Sequence, residues 1–208
     1  MGRGRPREFD RDVALDRAMR LFWTRGYQDT SIADLTGVLG IGSPSLYAAF
    51  GSKALLFCAA ADRYQERDGG RPATALAEAP TARGGVEALL RENVSLFTKR
   101  GGPRGCLLTR ATLSCPPSDT TVVAYLERSR RDRLAALRTR LRSAEAAGEP
   151  LPSDDVDTLA QYYDAQVQGL AVRALEGAGR PALLRTVDLT MAGWDALADG
   201  RTTRPGHH

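Results

Sequence analysis

Apolar residues recur with a helical period from the first turns of the chain. Leu15, Ala18, Met19 and Phe22 stand at i, i+3, i+4 and i+7, one stripe of a 3.6-residue repeat. They predict a helix from about Arg11 to Arg25, with Gly26 as its stop and Tyr27 folding back onto the core. Ser31 and Asp34 have the spacing of a capping box, and Ile32, Leu35, Thr36 and Leu39 follow at helical intervals, which predicts a short second helix. Gly40-Ile41-Gly42 then supplies a tight turn with an apolar plug. Pro44 suits a first helical turn, where its missing N–H is not needed, so a third helix starts near Ser43 and reaches about Phe50. Gly51 and Ser52 end it and recap a fourth helix carrying Leu55, Leu56, Cys58, Ala59 and Tyr64.

From Asp68 to Gly85 the composition shifts to Gly, Ala, Pro and Thr, and the domain boundary is expected here: residues 1–67 on one side, 68–208 on the other. Beyond it, apolar-periodic stretches recur near 86–99, 104–114, 118–147, 153–176 and 181–198, separated by glycines and prolines. No alternating strand pattern, hairpin signal or repeat interrupts them, so the fold class is all-α. The segment Val156–Leu175 is apolar nearly all round, as expected of a core helix that also meets a partner. A chain of 208 residues with 42% apolar and 26% charged residues fits two unequal folded domains.

The formal net charge of +4 leans towards a polyanionic partner, and its placement is more telling than its size. Arg3, Arg5 and Arg7 precede any acid, whereas from Glu8 to Arg67 seven basic residues meet eight acidic ones. Arg3-Gly4-Arg5-Pro6 matches the core of an AT-hook, whose arginines lie in a narrow minor groove; the other reading is a generic basic terminus, which would still contribute counterion release. Residues 127–142 hold seven arginines and two acids, read as a solvated face whose arginine stems cover apolar surface.

The chemistry of catalysis is largely excluded. Histidine occurs only as His207 and His208, so a nucleophile–histidine pair, a general-base histidine or an imidazole metal site lacks its usual residue. Cys58, Cys106 and Cys115 show no CxxC spacing and read either as buried thiols or as a redox or metal sensor in a reducing compartment. No run is long and apolar enough for a membrane span, and a cytoplasmic location is expected. No catalytic residue, metal site or cofactor is expected.

A helix, a glycine-containing turn and a second short helix is the plan that braces one helix on a DNA backbone and sends the next into the major groove. Residues 31–50 follow it. Leu46 and Phe50 should face inward, leaving Ser43, Ser45, Tyr47 and Ala48 outward. The run Ala14-Leu15, Ala18-Met19-Arg20-Leu21-Phe22, Gly26-Tyr27, Thr30-Ser31-Ile32, Leu35, Gly40-Ile41, Ser45-Leu46-Tyr47, Phe50-Gly51-Ser52-Lys53 and Leu55-Leu56 closely resembles the N-terminal domain of TetR/AcrR-family regulators over roughly residues 8–64.

The resemblance implies a three-helix helix-turn-helix DNA-binding domain followed by a helical ligand-binding and dimerisation domain. It implies DNA contacts at Thr30 and Ser31, at Ser43, Pro44, Ser45 and Tyr47, and at Lys53 with the helix N-terminus around it. The family often places basic residues near Ser43 and a basic or histidine side chain near Ala48; this chain has neither. The resemblance further implies a homodimer built on the last two long helices, a pseudo-palindromic operator, and a small-molecule effector that moves the fourth helix and releases the DNA. Candidate effector contacts are Phe97, Cys106, Leu107, Leu113, Tyr125, Tyr162, Tyr163 and Gln166, residue types that are more often plain core than pocket. The alternative function is an architectural DNA-binding protein that takes no ligand.

Overall fold

The computed structural model describes residues 10–202, with side chains as far as Asp199. The described elements are all helical: α1 (Arg11–Arg25), α2 (Ile32–Leu39), α3 (Ser43–Phe50), α4 (Lys53–Tyr64), a π-helical turn (Gln65–Gly69), α5 (Gly70–Glu78), α6 (Ala82–Phe97), α7 (Leu107–Ser114), α8 (Thr120–Ala146), α9 (Val156–Leu175) and α10 (Arg180–Thr202). Arg3 and Arg5 of the AT-hook reading lie outside the described residues. No helix among the described residues is long and apolar enough to cross a membrane.

Local chemistry sets the boundaries of the first four helices. The Asp10 side chain accepts from the Asp12 and Val13 N–H groups and starts α1, Ser31 and Asp34 form a reciprocal capping box on α2, and Ser52 accepts from the Leu55 N–H at the head of α4. Gly40 ends α2 at φ +70, a left-handed conformation that side-chain-bearing residues adopt at a cost of about 1–2 kcal/mol, and so turns the chain sharply into α3.

The segment from Asp68 to Gly85, read as a boundary by composition, is helical over much of its length. The π turn carries α4 onward into α5, which in turn packs along α6. Pro72 falls in the first turn of α5, where no intrahelical N–H is required, and with Leu76 it forms the buried face.

Two hydrophobic cores result. In the first, Phe22, Tyr27, Leu35, Leu46 and Phe57 of the N-terminal helices pack with Leu107, Leu108 and Ala111 of α7 and with Val122, Tyr125 and Leu126 of α8. The packing unit around α1–α4 thus extends well past residue 67. The second core gathers Leu90, Phe97, Leu137, Tyr163, Val187 and Trp194 from α6, α8, α9 and α10. The 27-residue α8 spans about 40 Å and is set in both. Several of its arginines are committed to acids: Arg133 to Asp164, Arg138 to Asp157 at 2.7 Å and Arg140 to Glu149 at 3.5 Å.

Candidate nucleic-acid interface and effector cavity

α3 presents one continuous outward face. Leu46 is fully buried and Phe50 is 6% exposed, and these two anchors fix the helix so that Ser43, Pro44, Ser45, Tyr47 and Ala48 all point away from the core. Tyr47 is 47% exposed, a large amphipathic side chain on a surface otherwise made of hydroxyls, a methyl and a pyrrolidine ring. α1, α2 and α4 each begin with a side-chain cap, but α3 begins at Gly42 with no side-chain acceptor. Its first-turn N–H groups are therefore available to an external acceptor such as a phosphate.

The expected contacts at the head of α2 divide. Ser31 is exposed, but its hydroxyl donates to Asp34 Oδ2 at 2.6 Å and accepts from the Asp34 N–H at 3.1 Å. Thr30 is a correction: its side chain is fully buried and its hydroxyl donates to the Gly26 carbonyl at 2.7 Å, tying the end of α1 to the start of α2 instead of facing outward. Lys53, in the first turn of α4, is half-buried; its ammonium lies 4.4 Å from the Tyr27 ring centroid and donates to the Gln28 carbonyl at 3.3 Å. Burial lowers its pKa, and two of its three donors remain for a further acceptor.

The capping box yields a test of stability. Hydrogen bonds from the Ser31 hydroxyl and backbone, with the Arg25 guanidinium 2.6 Å away, lower the Asp34 pKa from 3.8 to about 2. A depressed carboxylate pKa stabilises the fold above the unfolded value and loses that contribution as pH falls through the folded one. The thermal midpoint is therefore expected to fall between about pH 4 and about pH 2 partly through this group. Ser31→Ala should lower stability at neutral pH by about 1 kcal/mol and flatten the pH dependence in that acid window, as read by melts across a pH series.

Between α4–α5, α6, α7, α8 and α9 lies a cavity of about 220 Å³. Leu76, Leu89, Leu96, Phe97, Leu137 and Val167 make its walls apolar, and Asn93, Thr109, Ser129, Arg133 and Gln168 add polar groups. Of the residues expected to contact an effector, Phe97 and Cys106 line it. Helix rotation and packing take the others elsewhere. Leu107 is fully buried in the N-terminal core, and Tyr125 is buried with its hydroxyl donating to Asp62 at 2.7 Å. Tyr163 packs in the second core at 5.5 Å from the Trp194 ring, whereas Tyr162 is 48% exposed and Gln166 is half-buried off the cavity. Leu113 is 67% exposed, on the rim of a shallower cleft between α7, α8 and α9. The sequence reading favoured aromatics and missed Asn93, although a lone carboxamide amid Leu89, Leu90, Val94 and Phe97 on the apolar face of α6 is a legible signal.

Cavity and helix-turn-helix meet at one backbone position. Gly105 donates its N–H to the Phe97 carbonyl at 3.0 Å, and its own carbonyl accepts the buried Trp23 indole N–H of α1 at 2.9 Å. The next residue, Cys106, accepts from the Tyr64 hydroxyl at 3.6 Å, and both line the cavity. Burial pushes the Tyr64 hydroxyl's pKa well up and, with the neighbouring carboxylates, raises those of the Cys58 and Cys115 thiols, so none of these groups ionises readily.

With this arrangement in view, likeness to known proteins becomes specific. Residues 14–60, which include α2, α3 and the turn between them, match the family model for bacterial regulatory proteins of the tetR family. The HTH-type transcriptional repressor ComR of Escherichia coli K12 is 34% identical over 94% of this chain and 93% of its own length. A cysteine variant of the TetR family transcriptional regulator CifR, solved in complex with 26-base-pair double-stranded operator DNA, is 43% identical, covers 92% of this chain and all of its own, and superposes with a TM-score of 0.84. A putative TetR transcriptional regulator from Rhodococcus sp. RHA1 is 40% identical over 88% of this chain, with a TM-score of 0.58. These relatives are regulators, not enzymes, and the likeness runs through both halves of the molecule; the chain belongs to the TetR family of bacterial transcriptional regulators.

Proposed function

We propose that this regulator is a repressor that binds a pseudo-palindromic operator as a homodimer and leaves it when a small molecule enters the cavity. Residues 1–67 read the DNA and residues 68–208 sense the effector and dimerise. The observation that carries the reading is the outward face of α3, where Ser43, Ser45 and Tyr47 stand on a helix pinned by Leu46 and left uncapped at its head. Hydroxyls there meet base edges and phosphates, while Pro44 and Ala48 leave room for close approach. Ser31 and Lys53 flank that face and take backbone phosphates, and the basic tip with Arg3 and Arg5 adds affinity that α3 itself, without a cation, does not supply.

The apolar side chains left exposed on α9 and α10 support the dimer. Tyr162 is 48%, Leu189 77% and Leu197 60% exposed, apolar side chains on these helices that a partner's helices can cover. A two-fold axis through these helices sets two α3 helices about one DNA turn apart, roughly 34–36 Å or somewhat more.

Selection of random duplex DNA by the purified protein, followed by binding at two salt concentrations, tests the reading. A pseudo-palindromic consensus is the expected outcome; salt-sensitive binding without sequence preference would leave only an architectural role. On the selected operator, Tyr47→Ala is expected to weaken binding by about 1–3 kcal/mol, roughly 5- to 150-fold, with the melting temperature unchanged because the ring is on the surface.

A further inference from the structure

The cavity's polar groups are unequal in what they leave unsatisfied. Asn93 is 7% exposed overall and its carboxamide lines the cavity. Its Nδ2 donates to the Leu89 carbonyl at 2.8 Å, which fixes the amide's orientation, because the reverse would set oxygen against oxygen. Its Oδ1 receives no hydrogen bond from the described residues. Gln168, also in the lining, repeats the donor pattern: its Nε2 donates to Asp164 Oδ2 at 2.8 Å. The Ser129 hydroxyl donates to the Tyr125 carbonyl at 3.1 Å and can still accept, and Asp132 adds a carboxylate to the same wall.

The donors are mostly neutral. The Tyr64 hydroxyl is directed at Cys106, Thr109 and Gln65 add a hydroxyl and a carboxamide, and the one cationic side chain among the lining residues, Arg133, gives its Nε to the buried Asp164 carboxylate. An entering anion would face Asp132 and compete with Asp164 for a guanidinium whose charge is met. A volume of about 220 Å³ lies below the range typical of drug-sized ligands, so the occupant is small.

We propose that the molecule this cavity takes has a small apolar body and a hydrogen-bond-donating, non-anionic head, an amine or a hydroxyl, seated on the Asn93 carboxamide oxygen. The inference rests on the cavity being the effector site, and it assigns the chemical class of the effector and the residue that selects it. The apolar body packs among Leu76, Leu89, Phe97 and Leu137.

The test uses the full-length protein and three probes that share one body: phenethylamine, 2-phenylethanol and phenylacetate. Calorimetric titration and thermal shift are expected to show binding of the amine, the alcohol or both, and at least tenfold weaker or no binding of phenylacetate. Asn93→Leu, of similar volume, is expected to weaken the donor probes by about tenfold or more, while Asn93→Asp keeps an acceptor in place and should retain the amine. Thermal melts of both unliganded variants guard against a folding defect, since Asn93→Asp also sets an oxygen against the Leu89 carbonyl. Phenylacetate binding as tightly as the other two, no probe binding at millimolar concentration, or donor probes that bind both variants as they bind the native protein would each overturn the proposal. Operator affinity is measured in parallel with each bound probe. A donor probe that occupies the cavity and leaves operator affinity unchanged supports the ligand class and counts against effector-driven release, so the two readings fail separately.

Discussion

Gly105→Ala is expected to destabilise the protein by about 2–5 kcal/mol, one of the two largest effects of any single substitution considered. The residue has φ +73, where alanine is disfavoured by about 1–2 kcal/mol. A Cβ there would also overlap the Leu175 side chain at Cδ2 and lie 3.0 Å from the Ala171 carbonyl oxygen. The leucine can turn aside but the helix backbone cannot, and such overpacking adds about 1–3 kcal/mol. Chemical denaturation reads the loss directly. The position also joins the Phe97 carbonyl to the Trp23 indole, so whatever native protein remains should hold α1 differently and bind operator more weakly. Trp23→Phe leaves the glycine in place and removes the N–H together with part of the buried indole, and should lower stability by about 1–3 kcal/mol through the unmet Gly105 carbonyl and the space left behind. A change below about 0.5 kcal/mol for Gly105→Ala would show that α9 does not pack against this loop as described.

Asp164→Ala is expected to lower stability by about 3 kcal/mol. The Asp164 side chain is 5% exposed and binds Arg133 and Gln168, so its removal leaves a largely buried guanidinium without its counter-charge. Breaking a buried pair in this way costs about 3–5 kcal/mol, and the lower end applies because Arg133 retains 28% exposure. The sharper expectation concerns the double variant. Arg133→Met combined with Asp164→Ala should be more stable than Asp164→Ala alone, because the orphaned charge is then gone. Urea denaturation of both single variants and the double variant closes the cycle, and a double variant less stable than Asp164→Ala would show that arginine packing, not its charge, dominates at this site.

Sequence and structure agree most closely where local chemistry alone decides the backbone. Gly26, the Ser31–Asp34 box, Pro44 and Ser52 act within a few residues of themselves, and the ends of α1, α2, α3 and the start of α4 fall where those residues predict. α5 was illegible because Gly70 and Pro72 argue for a loop, and its buried face is only Pro72 and Leu76, too short a stripe to establish a period. What holds it is α6 alongside, a tertiary effect.

The outward face of α3 was readable for the same reason as its caps: in an eight-residue helix with Leu46 and Phe50 inside, the remaining orientation is forced. Thr30 was not, since a threonine at the head of a helix has the same spacing whether its hydroxyl faces solvent or bonds back to Gly26. Effector contacts were least legible. Which of Tyr162, Tyr163, Gln166 and Gln168 reaches the cavity depends on the rotation of α9, and that is set by Asp164 meeting Arg133 and by Tyr163 meeting Trp194, pairings between residues 30 or so apart that no local pattern reveals.

The helix α8 has a consequence for how such proteins can be recombined. Its first turns supply Val122, Tyr125 and Leu126 to the core that supports the DNA-reading helices, and its later turns supply Leu137, Leu141 and Ala144 to the core around the sensor. The reading head is therefore not a detachable cassette. A chimera cut near residue 67 would strip it of Leu107, Leu108 and Ala111 as well, and graft it onto a foreign beam whose side chains were shaped for another head. Exchange of specificity between such regulators is better served by rewriting the outward face of α3, where Ser43, Ser45, Tyr47 and Ala48 point away from the core, than by exchanging whole halves.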